Sequence, residues 1–360
     1  MRPTTPADCI AHGGSLATAR RLFPGAPEPF LDLSTGINPH PYPLPPAAPE
    51  WLTRLPEPAD LAALQSAAAR AYGVADPAMV AAAPGTQILI GLLPRLFPLR
   101  SVAVLGPTYA EHAQAWARAG ARVAHATTIS ALATAHGAVL CNPNNPDGRR
   151  LPREQLLAFA DRTAARGGLL VVDEAFADLD IDTPSLAGAL PHPALIVLRS
   201  FGKTYGLAGL RLGFALAAPA RASAIRAALG PWPVSGAAIA IGRTALADPT
   251  WLAQTAQRLA AAASRLDALL AQAGLTPLGG TCLFRLAQSN DAPATFTKLG
   301  RAGLFVRRFP DHPTWLRFGL PPTKSAWHRL RAALRPGGRC PPAPAPHCAG
   351  AMGTPPPAKG

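Results

Sequence analysis

Residues 194–213 read ALIVLRSFGKTYGLAGLRLG. The run Ala194–Leu198 has the length and apolar content of a buried strand, and it ends in a polar turn, Ser200-Phe201-Gly202-Lys203. Lys203 is conspicuous by composition. Of the 34 Lys+Arg residues only four are lysine (Lys203, Lys298, Lys324 and Lys359), and none precedes position 203. Arginine serves surface charge and anion binding, but it cannot readily lose a proton to become a nucleophile. A lysine kept at a strand end therefore points to amine chemistry.

Working outward, four more apolar runs precede this one: Ala78–Ala83, Ser101–Leu105, Gly137–Cys141 and Gly168–Val172. Helical stretches fall among them at Gln87–Phe97, Ala110–Ala119 and Arg153–Ala165. This alternation predicts an α/β fold with a mostly parallel sheet covered by helices on both faces. In such sheets ligands bind beyond the carboxyl ends of the strands. The residues delivered there are Gly85-Thr86 at a helix start, Tyr109, Asn145 within Asn142-Pro143-Asn144-Asn145-Pro146, Asp173, and Ser200 with Lys203.

Each can be matched to a part of pyridoxal 5'-phosphate. Exposed amides at Gly85-Thr86 suit a phosphate, to which Ser200 and Arg211 add a hydroxyl and a guanidinium. Tyr109 can stack on a flat ring, Asn145 can donate to a ring hydroxyl, and Asp173 can pair with a protonated ring nitrogen. Lys203 can form the Schiff base. Plainer readings exist beside these: Tyr109 as a core aromatic, Gly85-Thr86 as a helix cap, Asn145 and Asp173 as turn residues, Lys203 as a solvated lysine.

Residues 200–213 resemble the lysine motif of the aspartate-aminotransferase family, fold type I. CNPNNPDG (141–148) and VDEAF (172–176) resemble its asparagine and aspartate motifs. A narrower resemblance, over about residues 10–335, is to the threonine-phosphate decarboxylases of cobalamin biosynthesis. It rests on AHGGS (11–15), LDLSTGINP (31–39), PWPVS (231–235), Val306-Arg307 and WLRF (315–318). The resemblance implies a large cofactor-binding domain with a smaller α+β C-terminal domain, a homodimer, and pyridoxal-phosphate-dependent decarboxylation of L-threonine O-3-phosphate. It also implies substrate contacts by His12, Asn38, Arg307 and Arg317. A histidinol-phosphate-type class I/II aminotransferase would share nearly all the cofactor residues and stays open as an alternative, as does a non-catalytic binding protein on the same scaffold. Two departures stand out. Phe176 replaces a tyrosine usual in the aminotransferases, leaving Asn145 as the main partner of the ring hydroxyl. Leu55 replaces a tyrosine that in many relatives reaches the neighbouring subunit's cofactor phosphate.

The chain divides into an N-terminal segment (1–50) that contributes to the substrate site, a large domain (51–245), a small domain (246–335) and a proline-rich tail (336–360) that reads as disordered. Residues 249–273 read as one long helix with a stripe at Leu252, Ala256, Leu259, Ala263, Leu266 and Leu270, capped by Asp248 or Thr250 and ended by Gly274. Strand-like runs follow at Thr281–Leu286 and Gly303–Arg307, then a helix near Ser325–Leu334. The net charge of +14 comes without a basic cluster interleaved with aromatics, so nucleic acid is not the expected partner. No membrane span is expected, and a small phosphorylated amino acid is the better match for so many arginines. The five cysteines form no CxxC pair, which argues against a metal site and for reduced thiols in the cytoplasm. His112, His125, His136, His192 and His328 read as surface or helix residues.

Overall fold

The computed structural model describes residues 13–180 and 184–335 of the chain. His12 and the proline-rich tail lie outside the described residues. Twelve strands among them are β1 Leu31–Leu33, β2 Val80–Ala83, β3 Ser101–Leu105, β4 Arg122–Ala126, β5 Gly137–Cys141, β6 Leu169–Asp173, β7 Leu195–Ser200, β8 Gly213–Ala217, β9 Thr276–Thr281, β10 Phe284–Gln288, β11 Leu304–Arg308 and β12 Trp315–Gly319. They form a seven-stranded sheet of order β2-β8-β7-β6-β5-β3-β4 and a five-stranded sheet of order β1-β11-β12-β10-β9.

The strands β3, β5, β6 and β7 are parallel to their neighbours in that run and buried along their whole length. Their side chains alternate between two separate cores. Leu170, Val172, Leu195 and Val197 enter one, while Leu169, Val171, Ile196 and Leu198 enter the other. A sheet covered on both faces has no solvent-facing side, so its central strands read as unbroken apolar runs. That is why these strands are visible in the sequence.

The strand β8 departs from the parallel pattern, pairing antiparallel with both β2 and β7. Its register sets Gly213 opposite Ser200 on one side and Ala83 on the other. The start of β8 therefore lies beside the ends of β2 and β7. The chain between β7 and β8 carries both Lys203 and Arg211, so this short excursion delivers two polar groups to one sheet edge.

The smaller sheet is built from both ends of the described chain. The strand β1 runs parallel to β11, with Leu31 opposite Leu304. A third core fills the space between this sheet and the Pro249–Gln272 helix, whose Leu259, Ala263, Leu266 and Leu270 are buried. Asp248 caps that helix by accepting from Trp251 N at 2.9 Å, and Gly274 takes φ +79° just past its end. The run Thr281–Leu286 is corrected here. It is a hairpin, not one strand, because Thr281 pairs with Phe284 across a tight turn at Cys282-Leu283. The β9 half escapes a sequence reading because Gly279 and Gly280, which look like breakers, lie inside the strand at φ +148° and +145°.

The loop after β5 meets the β9–β10 hairpin backbone to backbone. A Cβ on Gly148, at φ +71°, would lie 2.0 Å from Gly280 O, and one on Gly279 would lie 2.4 Å from Asp147 O. No helix among the described residues is long and apolar enough to cross a membrane.

Candidate active site

Asp173 ends β6 and is buried. A carboxylate placed there needs partners. Its Oδ1 accepts from Ala175 N at 3.0 Å, and its Oδ2 lies 2.9 Å from His112 Nε2. Burial alone pushes the imidazole down, but hydrogen bonds to Asp173 and Cys141 outweigh it, and His112 is pushed up to about 10. Burial likewise pushes Asp173 up, but the bond to His112, the His112 and Lys203 charges and the Ala175 amide together outweigh it and hold the carboxyl below its ordinary value. The two form a buried ion pair. His112 thus sits on a helix as expected, Ala110–Arg118, but not at the surface: it is 2% exposed. The signal that could have found it is its spacing. Tyr109 and His112 are three residues apart, hence on one helical face, and their rings meet edge to face at 6.1 Å.

Lys203 lies partly exposed on the Phe201–Thr204 helical turn, with Nζ 4.2 Å from the centre of the Phe176 ring. Burial lowers its pKa, Asp173 and Cys141 oppose that, and Arg317 adds to it; the net shift is downward. A lowered amine pKa raises the neutral, nucleophilic fraction near pH 7.

The other residues singled out from the sequence gather on the same edge. Gly85 caps the Thr86–Leu96 helix at φ +81°, and a Cβ there would lie 2.7 Å from Arg211 Nη2. Gly213 is equally confined, since its Cβ would lie 2.7 Å from Thr86 N. Arg211 itself takes φ +53° and bonds Ala208 O at 3.1 Å. Ser200 is buried and pairs with Gly213 across β7 and β8. Tyr109 OH donates to Gln87 Oε1 at 2.9 Å, and burial first, then the nearby acids, push its phenol up to about 12.

The smaller sheet supplies the opposite wall. Arg307 on β11 and Arg317 on β12 are directly paired in register. Arg317 is buried, donates to Asn145 Oδ1 and, at 2.8 Å, to Ser34 O, and lies 4.9 Å from the Phe284 ring centre. Burial first and then Arg307 bring its pKa down to about 10, against Asp32, which raises it. Its Nε is buried with no hydrogen-bond partner among the described residues. Ser34 also accepts from Gly14 N at 2.8 Å, which brings the segment following His12 to the Arg317 wall. Asn38 is buried beside the lysine turn. It donates from its backbone N to Lys203 O and from Nδ2 to Thr204 O, both at 2.9 Å, while its Oδ1 accepts from His40 N at 2.9 Å. That side chain ties the N-terminal segment to the Lys203 turn.

This donor set fits pyridoxal phosphate. A carboxylate kept ionised in a buried site suits a protonated ring nitrogen, a lysine of depressed pKa suits an aldehyde, and the start of the Thr86–Leu96 helix, with Gly85 at φ +81° close against Arg211, suits a phosphate.

The chain belongs to the aminotransferase class I and II family, whose model matches residues 47–334. The enzymes of this family that it resembles depend on pyridoxal phosphate. Within the family it is 44% identical to threonine-phosphate decarboxylase of Sinorhizobium sp and 42% identical to that of Pseudomonas aeruginosa, in each case over 90% of this chain and 97% of the relative. Among solved structures, histidinol-phosphate aminotransferase from Sinorhizobium meliloti in complex with pyridoxal-5'-phosphate superposes with a TM-score of 0.75 at 25% identity. That match covers 93% of this chain and 97% of that one.

Proposed function

We propose that this chain decarboxylates L-threonine O-3-phosphate, giving (R)-1-aminopropan-2-yl phosphate for cobalamin biosynthesis. The observation that carries this reading is the register pair Arg307–Arg317, whose Arg317 is close enough to Lys203 to lower its pKa. Two guanidiniums side by side suit a substrate with two anionic groups, a carboxylate and a phosphate.

Bound pyridoxal phosphate supplies an electron sink for the pair left when a bond to the substrate's α-carbon breaks. The chain's residues do the rest. Asp173, oriented by His112, keeps a proton on the ring nitrogen, and Asn145 donates to the ring hydroxyl. Gly85, Thr86, Ser200 and Arg211 hold the cofactor phosphate, and Tyr109 stacks on the ring. Lys203 would hold the aldehyde carbon, and its amine could carry a proton at the substrate's α-carbon. Arg307 and Arg317, with His12 and Asn38, would bind the substrate's two anionic groups and so orient it over the cofactor. Phe176 adds no hydroxyl beside Lys203.

The division into an N-terminal segment, a large domain ending at 245 and a small domain to 335 belongs to the same reading. So do a cytoplasmic location, supported by the free Cys141 and Cys282, and a homodimer. Support for the dimer comes from Leu52, Leu55 and Trp232, which are exposed on segments that pack together: a Cβ on Gly236 would lie 2.8 Å from Trp51 O.

The test uses the purified enzyme with threonine phosphate and, separately, with histidinol phosphate plus 2-oxoglutarate. Carbon dioxide release from the first alone is the expected result. Glutamate formation from the second would overturn the proposal in favour of an aminotransferase.

A further inference from the structure

Beneath the lysine turn lies a group of buried charges that the proposed chemistry leaves unused. Arg199, one residue before Ser200, donates from Nη1 to Glu174 Oε2 at 2.6 Å and to Ser185 Oγ at 3.1 Å, and from Nη2 to Asp178 Oδ1. Its guanidinium lies 4.6 Å from the Tyr72 ring centre. The second oxygen of Glu174 accepts from Leu186 N at 2.8 Å, and the second oxygen of Asp178 accepts from Thr204 Oγ1 at 2.7 Å. The Arg199, Glu174 and Asp178 side chains are at most 6% exposed, and Thr204 is fully buried.

Three members adjoin residues of the site in sequence: Glu174 follows Asp173, Arg199 precedes Ser200, and Thr204 follows Lys203. One network therefore grips two strand ends and the lysine turn. The lysine turn depends on such outside support, because the Phe201–Thr204 helix has four residues and a single turn cannot hold itself in water. Asn38 grips its carbonyls from above. From below, Thr204 Oγ1 donates to Asp178 Oδ2.

We infer that Thr204 is a positioning residue: its hydroxyl, tied to Asp178 and through it to Arg199, fixes the turn from which Lys203 reaches the cofactor. The inference rests on Lys203 being the cofactor-bearing lysine.

Thr204→Val removes the hydroxyl at nearly constant shape, and Thr204→Ser keeps it. Both are titrated as apo-proteins with pyridoxal phosphate, reading the dissociation constant by visible absorbance and the orientation of the bound ring by visible circular dichroism. Thr204→Val should bind about tenfold more weakly, as for one lost hydrogen bond to a charged acceptor, with an altered dichroic band. Thr204→Ser should stay within about twofold of wild type. Binding by Thr204→Val within about twofold, with an unchanged band, overturns the inference; so does a Thr204→Ser protein as impaired as Thr204→Val. Thr204→Ala, smaller and free of overpacking, carries the same expectation where the valine variant does not accumulate. If only the serine variant folds, the hydroxyl serves the fold at large and the inference falls. A wild-type chain that takes up no pyridoxal phosphate overturns instead the assignment of Lys203.

Discussion

His112 gives Asp173 a charge partner before any ligand arrives, and this has a measurable pH signature. Folding raises His112 from about 6.5 to about 10. Its contribution to stability is thus complete below about 6.5 and is lost as pH rises toward 10. Asp173 is shifted downward, so its contribution is present above the ordinary carboxyl range and lost in acid. In the apo-protein, the stability gap between wild type and His112→Gln, measured by urea unfolding, should shrink steadily between pH 6.5 and 10; a gap independent of pH would mean a neutral imidazole. Arg317 divides its fork between Asn145 and Ser34, and its buried Nε has no partner among the described residues. Arg317→Lys cannot reproduce that geometry and should lower kcat/KM for threonine phosphate at least about tenfold. At this scale the sequence was legible where composition or motif isolated a residue. Lys203 is one of four lysines and Asp173 ends a buried run, whereas His112 looked like any polar residue on an alanine-rich helix. Its spacing from Tyr109 marks a shared helical face, but its pairing with Asp173 depends on β6 passing beside that helix, which is a tertiary contact.

The elements most legible from sequence were those buried on both faces. The strands β3 and β5 fall where their apolar runs do, and the Pro249–Gln272 helix shows the expected cap and stripe. The edge strand β4 did not, because most of its residues face solvent and its composition is ordinary. The strand β8 was absorbed into the lysine motif, and β9 was hidden by its glycines. Those glycines have their own role: Gly148 and Gly280 let the loop carrying Asn145 touch the β9–β10 hairpin through backbone alone. Gly148→Ala would combine a left-handed φ with a clash at 2.0 Å from Gly280 O. It should destabilise the protein by more than about 1 kcal/mol, measured by urea unfolding, and lower kcat through displacement of Asn145.

At the scale of the whole molecule, the net charge of +14 resolves into arginines with separate tasks rather than one basic face. Arg199 is locked among carboxylates, Arg329 braces Pro27 O and Pro29 O, and Arg307 and Arg317 pair across β11 and β12. The exposed Leu52 and Leu55 are the expected seam between two copies. Leu52→Glu with Leu55→Glu should convert a dimer to a monomer in sedimentation at micromolar concentration, and a wild-type monomer would refute the seam. The pairing of β1 with β11 also sets an order of assembly during synthesis. All seven strands of the larger sheet lie between residues 80 and 217, so that sheet can form while translation continues. The strand β1 emerges from the ribosome early, yet it stays unpaired until residues 304–308 are made. A ribosome stalled late would therefore display a nascent chain whose cofactor floor is built and whose substrate wall is missing. Throughout that interval Leu31 and Leu33 are an apolar segment available to chaperones.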